Sequence, residues 1–204
     1  MSQQLCPIWQ TPATVIDSPS GKDVYDVNSP RAGGRYEISG TGFCVIDGKL
    51  EENQKALLTS WLIQERIADR EPTIKSHTIS SYPNTPSRLS TLCPLSPDER
   101  ADNLLKYIKQ HTPNIGDHFE FAINLNPDLQ DPWWIRYAEM LAWSESLKSG
   151  ELDYLLGFLE SQGWIKRYNG TRTAPYCCSI THKGDDHLSN LTRITVSQPI
   201  GFRV

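Results

Sequence analysis

Apolar residues recur at helical spacing in several stretches of the chain, and proline- or glycine-rich breaks separate them. Leu57, Leu58, Trp61, Leu62 and Ile67 fall near one face of a helix expected from Leu50 to Ala68, with Pro72 beyond its end. Ala101, Leu104, Leu105 and Ile108 form a second stripe behind the start signal Ser96-Pro97-Asp98-Glu99. That signal combines an N-cap hydroxyl, a proline where no N–H is needed, and a carboxylate able to reach back to the cap. Trp133 to Trp143 predicts a further helix, with Ile135, Ala138, Met140 and Leu141 available for burial. Leu152, Leu155, Leu156 and Leu159 repeat the stripe once more; Ser149 is expected to cap this helix and Gly163 to close it in a left-handed conformation.

Strand signals lie between and around these helices. Val24 to Val27 and Arg35 to Ile38 read as short strands joined by a turn at Ser29 to Gly34. Trp164 to Tyr168 and Tyr176 to Ile180 read as a hairpin around Asn169-Gly170, loosened by Thr171 to Pro175. Thr181 then caps a last helix through Leu191. Thr73 to Ser81 suggests a second short helix, and Phe119 to Ile123 a strand inside an insertion between Pro113 and Pro132. The rest of residues 1 to 48 shows no helical periodicity and reads as a β-rich or irregular lobe.

The fold class that follows is mainly α with small β elements, an α+β protein. Its expected organisation is an N-terminal lobe at 1–82, a linker at 83–95 containing Pro83, Pro86 and Pro94, a helical domain at 96–191, and a C-terminal strand or tail at 192–204.

Composition narrows the function classes. No apolar run approaches the length of about eighteen residues that a membrane helix needs, and the first residues have no signal-peptide pattern, so a cytoplasmic location is expected. Five cysteines at irregular spacings fit a reduced compartment. Cys177 and Cys178, neighbours in a strand, should face opposite ways and serve poorly as joint metal ligands. Cys6-Pro7-Ile8-Trp9 resembles half a zinc knuckle with Trp9 at the second cysteine position, but too few further ligands follow, so Cys6 reads as a small buried residue and no metal or cofactor is expected.

Net charge is −4, which argues mildly against a non-specific nucleic-acid binder. Local distribution differs. The helix from Ser149 to Gln162 carries Glu151, Asp153 and Glu160 and no base, whereas Lys166, Arg167, Arg172 and Lys183 lie on or next to the hairpin. Those four are the candidate nucleic-acid contacts, positioning DNA or RNA through phosphates. The alternative is a solvated surface on a protein–protein adaptor that uses the acidic helix. Arg31 and Arg35 flank a glycine-rich turn and are candidate anion ligands, the basis of a nucleotide-binding or hydrolysing alternative. No nucleophile–base set is recognisable, and His182 and His187 lack the one-turn spacing of shared ligands, so an enzyme is not the expected reading.

Two stretches resemble known families. Leu155 to Ile165 followed by Ile180-Thr181-His182-Lys183-Gly184 resembles the winged helices of bacterial regulators: leucine-rich helix, glycine, two wing strands, and a threonine-capped helix with glycine in its first turn. The segments Cys6-Pro7-Ile8-Trp9-Gln10-Thr11-Pro12-Ala13 and Asp26 to Ser39 resemble the leader of bacterial multidomain proteins. There a leader and a winged helix precede an α/β effector domain of the nucleoside deoxyribosyltransferase-like or TIR-like kind, often in phage defence. Ser197 to Val204 looks like the first strand of such a domain. The resemblance implies a winged-helix domain at 96–191 and a regulatory, binding role.

Overall fold

The structure, a computed structural model, describes residues 4–17, 23–81, 86–114, 116–123, 125–169 and 176–197. It is an α+β protein with two sheets. Strands β1 (Gln4–Leu5), β2 (Pro12–Asp17), β3 (Val24–Ser29) and β4 (Gly34–Ser39) form an antiparallel meander. Helices α1 (Gly40–Ile46) and α2 (Glu52–Ile67) follow, then β5 (Thr73–Ile74), which adds to β4 in parallel, and the single turn α3 (Ser76–Ile79). The remaining elements are α4 (Pro97–His111), β6 (Phe119–Phe121), α5 (Pro132–Trp143), α6 (Ser149–Ser161), β7 (Ile165–Asn169), β8 (Tyr176–Ile180) and α7 (His182–Ser197). The second sheet has the order β6-β8-β7, antiparallel throughout. No described helix is long and apolar enough to cross a membrane.

Two apolar cores form. Ile8, Val27, Tyr36, Ile38, Leu58, Leu62 and Ile74 fill the first; Leu104, Leu105, Ile108, Phe119, Met140, the α6 leucines and Ile165 fill the second. Each fully buried side chain of this kind is worth about 1.5–3 kcal/mol of transfer free energy. Ile63 of α2 joins the second core, so the two halves share a wall. In the stretch read as a linker, Leu89 is buried and Leu92 packs on the first core; residues 82–85 lie outside the described ones.

A buried arginine ties the halves together. Arg31, in the 3-10 turn Pro30–Ala32, stacks its guanidinium 3.6 Å from the Trp9 ring centroid and donates to the Ser146 carbonyl at 2.7 Å. Within the C-terminal half, Arg100 donates to the Ser144 carbonyl at 2.8 Å and to Glu151 at 2.9 Å. The Tyr107 hydroxyl donates to Glu139 at 2.6 Å. Burial pushes the Glu139 carboxyl above its ordinary range, against the opposing pull of Tyr107, His111, Arg66 and Arg136.

Several expectations need correcting. Helix α1 lies where no helical periodicity was visible, because Gly40-Thr41-Gly42 has poor intrinsic propensity. It forms through its cap, Ser39 Oγ accepting from Gly42 N at 3.1 Å, and through burial of Ile46. Thr73 to Ser81 is not one helix but β5 followed by a single turn, since Thr73 and Ile74 pair with Glu37 and Ile38. The strand expected inside an insertion is instead an integral edge of the second sheet, with Phe119 and Phe121 buried. Ser149 is the first helical residue, not the cap: Lys148 holds that position with no side-chain bond. Residues 192–197, expected as strand or tail, continue α7; 198–204 lie outside the described residues.

Candidate functional site

The open side of α6 and the two faces of the hairpin sheet carry the residues that sequence pointed to. Because Leu152, Leu155, Leu156 and Leu159 are buried, the opposite side of α6 shows Asp153, Tyr154, Ser161 and Gln162 to solvent. Tyr154 is 69% exposed, the largest exposure among the described large apolar residues. Beside it, between the starts of α4 and α6, lies a hollow of about 240 Å³ lined by Pro97, Arg100, Lys148, Glu151, Tyr154 and Leu155.

The three acids of α6 are all matched within the chain. Glu151 pairs with Arg100 at 2.9 Å. Asp153 and Glu160 both meet Arg167, at 3.2 and 2.7 Å. The Arg167 bond holds the Glu160 carboxyl below its usual range, and Glu160 in turn raises the Arg167 guanidinium. The helix that looked repulsive to phosphate is therefore locally compensated, and the base expected to compensate phosphate is occupied.

The candidate nucleic-acid contacts do not form one patch. Lys166 and Arg167 are consecutive in β7 and point to opposite faces of the sheet. Arg167 turns toward α6, while Lys166 is exposed on the outer face with its ammonium 5.2 Å from the Tyr168 ring centroid. Lys183 is exposed in the first turn of α7, its stem passing beside Gly163. Arg172 lies outside the described residues.

Arg31 and Arg35 also part company. Arg31 is 6% exposed, and burial lowers its guanidinium to about 10. Arg35 is exposed and donates from Nε to Asp26 at 2.8 Å. Gly33 between them has φ of 76° and closes the 3-10 turn, with Ile63 so near that a Cβ would clash. Gly33 serves this close approach of turn to α2.

On the outer sheet face, Cys177 stands in register between Glu120 of β6 and Tyr168 of β7. His118 Nδ1 is 3.2 Å from Cys177 Sγ, and its ring lies 5.1 Å from that of Tyr168. Partial burial and Glu120 push the Cys177 thiol up, which favours the neutral thiol over a thiolate nucleophile. Cys178 faces the core, as strand alternation requires.

Tyr154 was missed in the sequence, although the signal existed: an aromatic one step off a leucine stripe must point outward. The Arg167–Glu160 pair had no linear signal, since it depends on the turn after α6 folding β7 back along the helix. Comparison with family models, with curated proteins and with solved structures gave no match to this chain.

Proposed function

We propose that this chain is a non-enzymatic binding and regulatory module, that residues 96–191 are a winged-helix domain, and that the open face of α6 binds a protein partner. The element order α4, β6, α5, α6, β7, β8 supports the winged-helix reading, with the hairpin as wing and the strand between the first two helices paired to its return strand. The observation that carries the partner assignment is Tyr154, standing open on a helix without bases whose acids are already paired. A duplex-reading helix needs free donors and cations aimed at bases and phosphates. An exposed tyrosine beside an apolar hollow suits a protein interface, where Tyr anchors carry much of the binding energy. The resemblance to leader-plus-winged-helix proteins points to an α/β effector domain as that partner, which the module would restrain or release.

Calorimetric titration of the chain with a separately purified effector domain of that class tests this. Binding should persist at moderate salt and weaken at least tenfold, about 1.4 kcal/mol, in Tyr154→Ala. Binding unchanged by Tyr154→Ala overturns the assignment.

A second reading keeps nucleic acid as the ligand, held through the wing. It is favoured by Lys166 and Lys183, neither of which forms an ion pair among the described residues. DNA or RNA affinity that falls steeply with salt, and less steeply after Lys166→Gln, would select it.

A further inference from the structure

A second recessed surface lies in the N-terminal half, away from α6. It is a groove of about 430 Å³ between the later part of α2, the entry to β5 and α3. Its volume falls within the range of about 300–1,000 Å³ typical of small-molecule sites. Trp61 of α2 forms part of its wall, and Lys75, His77 and Arg88 stand around it. All three of these basic residues are exposed, and none makes an ion pair among the described residues.

The acids at the groove are unequal. Glu65 is bound by Arg70 through two hydrogen bonds, at 2.6 and 2.9 Å, and Arg88 also acts on it through its charge. Most of its charge is taken up by Arg70. Glu71 remains at the rim, where it also acts on Arg35. Glu71 and the three basic residues Lys75, His77 and Arg88 thus line one groove.

We propose that this groove binds a small phosphorylated molecule with a flat ring, of nucleotide size. Lys75 and Arg88 supply positive charge, they and His77 supply donors for the phosphate, and the uncovered part of the Trp61 indole meets the ring. Cation clusters recognise phosphate by charge-assisted hydrogen bonds, and an aromatic wall adds stacking that tolerates any base. The site is independent of the α6 surface, so its failure leaves the partner-binding proposal untouched.

The test is calorimetric titration of the intact chain with adenosine monophosphate, with adenosine, and with inorganic phosphate. The nucleotide should bind at or below roughly 1 mM, and each half-ligand at least tenfold more weakly. The double variant Lys75→Gln/Arg88→Gln, altering two exposed side chains, should lower nucleotide affinity at least tenfold while leaving the melting temperature unchanged. No nucleotide binding at roughly 1 mM overturns the proposal. So does inorganic phosphate binding as tightly as the nucleotide, or a double variant that binds like the parent.

Discussion

Arg167 lies in the fork of Glu160: its Nε is 2.7 Å from Oε2, and its backbone N–H donates to Oε1 at 3.2 Å. The same guanidinium reaches Asp153 at 3.2 Å, so the first hairpin strand is tied back along the helix that precedes it. Charge that a linear reading assigns to two opposed surfaces meets in one seam, where a single guanidinium serves two carboxylates.

The seam sets a pH dependence. Glu160 is held below the ordinary carboxylate range chiefly by Arg167, so the folded chain binds this proton more weakly than the unfolded chain. The stabilisation is complete above the unfolded carboxyl's value and is lost as pH falls through the folded one. Arg167→Gln should lower stability at neutral pH by only about 0.2–1 kcal/mol, because the pair is partly exposed and screened. Thermal melts across the acid range should show a shallower loss for the variant than for the parent. Parallel curves would show that the pair contributes nothing to the acid response.

Gly184 is the most tightly packed of the described glycines in the C-terminal half. A Cβ there would lie 2.2 Å from the Trp164 carbonyl oxygen, a backbone atom with no rotamer to escape into. Thr181 caps the same turn, its Oγ1 accepting from Gly184 N at 3.1 Å, so the helix start is pinned against the entry to β7. Gly184→Ala should cost about 1–3 kcal/mol despite alanine's better helix propensity, measured by urea unfolding. A variant as stable as the parent would mean that α7 starts farther from Trp164.

Glu139 has the opposite sign to Glu160. Its carboxyl is raised chiefly by burial, so the folded state holds the proton more tightly and stability falls as pH rises from the unfolded value to the folded one. Glu139→Gln keeps an oxygen to accept from the Tyr107 hydroxyl, now 2.6 Å from the carboxylate, while removing the ionisable group. The variant should lose this decline, whose slope for one group cannot exceed about 1.4 kcal/mol per pH unit. Melts at several pH values on both sides of the carboxylate range check it, and an unchanged slope sinks the assignment.

What was legible in the sequence was what is periodic. The α6 leucines, the Ser96-Pro97-Glu99 start and the placement of Cys177 and Cys178 on opposite faces all follow from local geometry, and the structure agrees. Helix α1 was illegible because glycines conceal a helix that depends on its cap and on Ile46 finding a core. Strand β6 looked like an insertion because its partner, Tyr176–Cys178, lies more than fifty residues further along the chain. The candidate arginines fared similarly: Arg31 and Arg167 are charged in the sequence and committed in space, one to Trp9 and Ser146, the other to Glu160 and Asp153. The hollow beside Tyr154 and the groove at Trp61 each join segments distant in the chain, which no spacing rule could bring together.

Arg31 has one more implication, for how the halves move against each other. A greasy joint can slip by a residue and lose little, whereas a guanidinium clamped between an indole and one carbonyl has a single resting place. Any sliding of α5 past the Pro30–Ala32 turn must first break that bond and leave a cation facing a drier medium. The joint should therefore behave as a latch with two states, seated or released.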